Sequence, residues 1–336
     1  MKRRMLLVLL ALWLPLPLWA QTSAPALGEQ NSVPVVSGLP PAEPLPPPVE
    51  LQPELPQFRP SATVAEAFAA SQEALKLGSA VALVIDQEDG QLLYAKNTDA
   101  VMPIASITKL MTAVVVLDAK LPLDQPVTIT RADVDRLKGT QSRLKLGVSL
   151  PRRDMLRLAL MASENRAAAA LARTYPGGTA AFVAAMNQRA RELGMRDTRF
   201  VDSTGLDPDN VSTALDLAML VNTSYRYPLI RQYTTQDSHR VAVDSRKRRY
   251  RTVAFRNSNG LVRNGQWDIG LSKTGYISEA GRCLVMQARI AAKPVIIVLL
   301  DSWGKFTRIA DANRIKQWME RLDAQMPSPG RKPRLM

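Results

Sequence analysis

The chain has 336 residues, 44 lysines and arginines against 30 aspartates and glutamates, and one histidine and one cysteine. That length can bury a sizeable core in one large domain, and a formal charge of +14 calls for an anionic partner. A single cysteine, Cys283, excludes an intramolecular disulfide, and one Cys with one His leaves too few ligands of the usual types for a zinc site.

The chain opens on Lys2-Arg3-Arg4, an apolar run from Met5 to Trp19, and the small Ala20. This is the pattern of a secretory leader over residues 1–20, too short and too broken by Pro15 and Pro17 to span a bilayer comfortably. The expected destination is the periplasm. Export argues against a nucleic-acid partner, so the basic balance is read as facing an anionic envelope. Residues 21–61 are Pro-rich, with Pro46, Pro47 and Pro48 in a row, and read as a disordered linker. The folded domain is expected over residues 62–325, with a flexible tail at 326–336.

Within that domain a helical stretch runs from Val64 to Leu77. Ala80 to Asp86 and Gln91 to Lys96 read as strands around the turn signal Asp89-Gly90. Pro103 precedes a helical stretch from Ser106 to Ala119, and residues 131–193 and 213–225 read as mostly helical. Three apolar runs, Asp268–Ile277, Arg282–Ile290 and Val295–Asp301, return as strands. Arg308 to Ala324 closes the domain as an amphipathic helix with Ile309, Ile315, Trp318, Met319 and Leu322 on one face. That stripe is read as core, so no stable membrane anchor is expected. The order of strands, helical block, strands and helix predicts an α+β domain. Its antiparallel sheet draws on both chain ends and is flanked by helices, with a mostly helical subdomain.

Three short motifs carry the chemistry. In Ser106-Ile107-Thr108-Lys109 a hydroxyl and an ammonium share one helical face. A serine attacks only when a base takes its proton, and a lysine is that base only when its pKa falls. Ile104, Leu110 and Met111 supply the apolar surroundings. In Ser163-Glu164-Asn165 a second serine can relay a proton to a leaving amine, and the Asn can orient a substrate amide. In Lys273-Thr274-Gly275 a glycine inside a strand signals close approach of another backbone or a ligand. Each pattern alone is common; the three in this order are not. His239, the one histidine, lies in a polar stretch without a nucleophile elbow and reads as a surface residue. The basic run Arg246-Lys247-Arg248-Arg249 with Arg251 reads as a solvated hairpin.

Ser-x-x-Lys, Ser-x-Asn and Lys-Thr-Gly in this order resemble the signature of the penicillin-recognising serine enzymes. The segments Pro103–Thr112, Met161–Ala167, Ser203–Asp207, Ser212–Leu217, Asn257–Asn259 and Arg308–Ala312 resemble D-alanyl-D-alanine carboxypeptidases and endopeptidases. Leu117–Pro122 and Lys273–Cys283 are similar to the penicillin-binding protein 7 type of endopeptidase within that family.

The resemblance implies a β-lactamase/transpeptidase-like fold and a serine hydrolase without cofactor or metal. It also implies an acyl-enzyme on Ser106, with Lys109 as base and Ser163 passing the proton. Asn165, Lys273, Thr274, Gly275 and the Tyr276 backbone would bind substrate, and Arg308 would hold a carboxylate. Its partners would be peptide crosslinks of peptidoglycan, with β-lactams as covalent inhibitors. Only about a dozen residues follow the last helix, which favours an endopeptidase over a membrane-bound carboxypeptidase. The carboxypeptidase remains the alternative. A β-lactamase lacks support, because no glutamate stands between Glu192 and Glu279 to direct a deacylating water. A non-catalytic wall-binding protein is disfavoured by the intact reactive positions.

Overall fold

The computed structural model describes residues 75–245 and 249–325. The expected leader, linker and tail lie outside them, as do residues 64–74 of the expected first helix and the side chains of the basic run from Arg246 to Arg251.

Along the chain, β1 (Ser79–Asp86) and β2 (Leu92–Lys96) form a hairpin. The short β3 (Met102–Pro103) leads through a 3₁₀ turn, Ala105–Thr108, into α1 (Lys109–Asp118). Two short strands, β4 (Pro126–Thr128) and β5 (Ser149–Pro151), pair before three helices: α2 (Arg152–Met161), α3 (Asn165–Arg173) and α4 (Gly178–Glu192). Next come β6 (Val211–Ser212), which pairs with β3, then α5 (Ala214–Tyr225) and α6 (Pro228–Thr235). A hairpin of β7 (Ser238–Ser245) and β8 (Arg249–Arg256) is followed by the single turn α7 (Gly260–Asn264). The long strands β9 (Asp268–Ile277), β10 (Gly281–Ile290) and β11 (Lys293–Ser302) precede α8 (Thr307–Gln325).

One antiparallel sheet, ordered β2-β1-β11-β10-β9, joins the two ends of the domain, as the order of apolar runs predicts. Alternation along β1 sends Val81, Leu83 and Ile85 to one face and Ala82 and Val84 to the other. The first face joins Val285 and Val298 against the helical block. The second packs with Ile297 and Leu299 on α8, whose Ala312, Ile315, Trp318 and Met319 are buried there with Ile309 and Leu322 beside them. The amphipathic stripe of the last helix is therefore core. α1 is buried from Lys109 to Val116, as a helix apolar on nearly every side must be.

Three sequence expectations change. Leu75–Leu77 are not helical. The Lys96 Nζ donates to the carbonyls of Leu77 (3.0 Å) and Ser79 (2.8 Å). The Asp311 carboxylate accepts the Gly78 and Ser79 N–H groups, which holds this stretch against the sheet instead. Residues 131–193 are helical only in part, because 134–148 form an irregular loop tied by Asp135. That carboxylate accepts the N–H groups of Leu137, Lys138 and Thr140, an alternative to helix that short Asp side chains offer. His239 is half-buried, with its ring 3.4 Å from Asp154 and beside the Arg157 guanidinium, so it joins β7 to α2.

Candidate active site

Ser106 lies in the 3₁₀ turn and Lys109 opens α1, so the three-residue spacing crosses the junction of the two helices. The Lys109 Nζ is 2.8 Å from Ser106 Oγ, 2.7 Å from Asn165 Oδ1 and 2.6 Å from the carbonyl of Thr204. Asn165 Nδ2 donates to Thr140 Oγ1 at 3.0 Å, which leaves its oxygen facing the lysine. Two fixed acceptors thus take two N–H bonds, and the third direction of the nitrogen points at the serine. Burial is the dominant cause that brings Lys109 down to about 7, against the upward pull of Asp202 and Glu164. Above that value the amine is mostly unprotonated, and with two N–H bonds taken by Asn165 and Thr204 its remaining direction faces Ser106.

Opposite stands β9, the edge strand of the sheet. Lys273 Nζ lies 2.9 Å from Ser163 Oγ and 2.9 Å from its neighbour's carbonyl, Thr274 O. Its pKa sits well below the ordinary lysine value, first through burial, then through the charges of Lys109 and Arg308. Thr274 Oγ1 donates to Ser258 Oγ at 2.7 Å. Lys273 and Ser163 cross the cleft from opposite walls, and an ion pair of Lys138 with Glu279 crosses it again beyond the end of β9. Lys138 and Ser278 hold the Glu279 carboxyl down to about 2.

The backbone here is strained. Ala105 has φ +49° and Ser163 φ +59°, a region that L-residues enter at a cost of about 1–3 kcal/mol. Two glycines hold the first of these in place. A Cβ on Gly275 would meet the Ile104 carbonyl oxygen at 3.0 Å and the Ser106 nitrogen at 3.2 Å, so β9 approaches the Ile104–Ser106 segment as closely as it does because it has glycine there. Gly205, at φ +74°, would place a Cβ 1.9 Å from the Ala105 carbonyl oxygen. Gly205→Ala is expected to destabilise the fold by about 2–4 kcal/mol, from overpacking and positive φ together. Urea unfolding checks this, and an unchanged midpoint would refute it.

Arg308 starts the last helix beside Lys273 and Arg282. Burial and the Arg282 charge push its pKa down, and its buried Nε and Nη1 find no hydrogen-bond partner among the described residues. The planar fork of a guanidinium has the shape that suits a carboxylate. Tyr276 is exposed, with the Arg282 guanidinium 4.5 Å from its ring centre. Cys283 is buried in the core, its thiol pushed up to about 11 by burial, and so is inert.

Sequence reasoning assigned no role to several groups that shape this site. Thr204 acts through its carbonyl, which no side-chain pattern reveals. The loop behind it is folded around Asp202, which accepts the N–H groups of Thr204, Gly205 and Asp207. The signal available was the run Asp202-Ser203-Thr204-Gly205-Leu206-Asp207, a sequence built for Asx turns. Asp135 and Thr140 position Asn165, and Ser258 positions Thr274. A cavity of about 530 Å³ adjoins Asn165 and Thr204, walled also by Asp135, Leu137, Ala169 and Leu206.

A half-buried serine on a buried lysine, facing a Lys-Thr-Gly edge strand across a second serine, defines the class of penicillin-recognising serine hydrolases. Comparison with known proteins narrows this. The family model described as D-alanyl-D-alanine carboxypeptidase matches residues 66–304, and the chain belongs to that serine peptidase family. It is 53% identical over 245 residues to a D-alanyl-D-alanine endopeptidase of Pseudomonas aeruginosa, covering 73% of this chain and 78% of the relative. It is 46% identical over 263 residues to one of Escherichia coli, covering 78% and 84%. Among solved structures, the Streptomyces K15 DD-transpeptidase superposes with a TM-score of 0.68 at 29% identity, covering 72% of this chain and 97% of that one. The ampicillin-bound penicillin-binding protein D2 of Listeria monocytogenes gives 0.61 at 33%, covering 73% and 98%.

Proposed function

We propose that this enzyme is a DD-endopeptidase that hydrolyses D-alanyl-diaminopimelate crosslinks of peptidoglycan through an acyl-enzyme on Ser106, and that β-lactams inhibit it by acylating the same oxygen. The observation that carries this is the 2.8 Å contact between Ser106 Oγ and the buried Lys109 Nζ, whose pKa burial brings down to about 7. The similarity to two relatives named D-alanyl-D-alanine endopeptidase supports the crosslink as substrate.

Ser106 Oγ attacks the D-alanine carbonyl as Lys109 takes its proton. The backbone N–H groups of Ser106 and Tyr276 receive the oxyanion, a contribution of about 3–4 kcal/mol per donor in such sites. Asn165 orients the substrate amide. The leaving amine gains its proton through Ser163, whose hydroxyl Lys273 tunes. Thr274 and Arg308 hold a substrate carboxylate, which gives the two unpartnered guanidinium nitrogens their partner. Water then releases the acyl group and restores the serine.

In this reading residues 62–325 are the catalytic domain, residues 1–20 a leader that delivers it to the periplasm, residues 21–61 a spacer and 326–336 a tail. No helix among the described residues is long and apolar enough to cross a membrane.

Digestion of purified crosslinked muropeptide dimers, followed by mass analysis, tests the reading. Release of monomers is expected. Loss of a single terminal alanine with the dimer intact would make the enzyme a carboxypeptidase instead.

A further inference from the structure

Trp303 and Phe306 are 90% and 68% exposed, in the loop that leads from β11 into α8. Large aromatic side chains gain by leaving water, so two on one short loop mark a binding surface. The loop is basic as well. Lys305 lies over the Phe306 ring at 5.4 Å, and Lys76 and Arg314 line a cavity of about 610 Å³ with Phe306, Thr307 and Ala310.

The sheet register fixes where this loop stands relative to the cleft. Tyr276 on β9 pairs with Arg282 on β10, and Arg282 pairs with Ser302 on β11, the residue before Trp303. Two strand spacings of about 4.8 Å put Trp303 on the order of 10 Å from Tyr276 along the end of the sheet. A crosslinked stem peptide of about four residues reaches at most about 14 Å when extended. Substrate held in the cleft therefore brings the polymer it is tethered to within reach of this loop. That polymer is a chain of amino sugars, whose pyranose C–H faces stack on aromatic rings. The carboxylates of its stem peptides complement Lys76 and Lys305, while Arg314 is already paired with Asp311 at 2.7 Å.

We propose that Trp303 and Phe306, with the basic groove beside them, form a secondary site that stacks on sugar rings of the peptidoglycan glycan strand and holds the enzyme on the intact wall while the cleft works on the crosslink. The inference rests on the proposed substrate, and its test separates the two.

The test compares the full-length enzyme with the double variant Trp303→Ala/Phe306→Ala. Binding is read by isothermal titration calorimetry with peptide-free glycan strands, a probe that needs no acylation and no tryptophan signal. The wild type should respond, and the variant should bind about tenfold more weakly, as the loss of two stacked rings implies. Hydrolysis of intact sacculi should slow by a similar factor. Acylation by a fluorescent penicillin and hydrolysis of glycan-free crosslinked peptides should be unchanged, because neither ring belongs to the cleft. The variant Trp303→Phe should recover most of the glycan binding. Equal sacculus activity in variant and wild type overturns the proposal, and so does an equal loss on glycan-free peptides. Loss of binding to phosphatidylglycerol vesicles with glycan binding retained would make the loop a lipid contact and overturn it too. A wild type that binds glycan yet never acylates would refute the proposed catalytic function and leave this surface standing.

Discussion

Ser106→Ala is expected to abolish the covalent adduct with labelled penicillin and to lower hydrolysis of crosslinked dimers by at least about 10⁴-fold, the scale of removing a serine nucleophile from a working assembly. The fold should survive. Ser106 Oγ contributes a 2.8 Å contact with Lys109 and a 3.5 Å contact with the Thr204 carbonyl, and Lys109 keeps Asn165 and Thr204 without it. The stability change is then about 1 kcal/mol, the net value of one hydrogen bond. Ser163→Ala makes the useful contrast. It leaves the Ser106–Lys109 pair intact and removes the partner of Lys273, so it should cost the smaller factor typical of a proton-transfer residue, about 10²–10⁴. Adduct detection on a denaturing gel and unfolding by circular dichroism read both variants. An adduct that persists in Ser106→Ala would place the nucleophile elsewhere.

The residues that meet in the cleft come from distant parts of the chain, yet their identities were legible. The four side chains at its centre, Ser106, Lys109, Ser163 and Lys273, all sit in short local motifs: a three-residue step for the first two, the turn before α3 for the third and one strand for the fourth. The strands and the final helix were legible for the same reason, since apolar periodicity reports directly on burial. What stayed hidden is long-range or backbone-borne. Lys109 is held in place partly by a carbonyl 95 residues away, at Thr204. The loop at 134–148 follows from the Asp135 carboxylate collecting three backbone N–H groups, which overrides a sequence that reads as helix. The strain at Ala105 follows from its packing on Gly205 and Gly275, two glycines whose purpose shows only when the three segments meet.

The pH dependence of acylation is the sharpest test of Lys109. A base must be unprotonated to act, so the rate should rise with pH along a limb centred near 7, where burial holds this amine. Each unit below the limb costs tenfold, which makes acylation at pH 5 about a hundredfold slower than on the plateau. Lys109→Arg keeps the positive charge but never releases its proton, so the limb should vanish along with about 10³–10⁴ of the rate. Lys273 is also buried and depressed, and a limb alone would not say which lysine titrates. Glu164 separates them. Its carboxylate raises the pKa of Lys109 through space and is not among the groups that set Lys273. Glu164→Gln preserves an acceptor for Ser142, whose hydroxyl now donates to Glu164 Oε2 at 2.6 Å, and removes only the charge. With that negative charge gone, protonated Lys109 loses a stabilising neighbour, its pKa falls, and the acid limb moves to lower pH. The expected displacement is a fraction of a unit, with the plateau rate nearly unchanged. Stopped-flow acylation between pH 5 and 9 would show it. A limb that stays in place in Glu164→Gln, or moves upward, would mean that the titrating base is not Lys109.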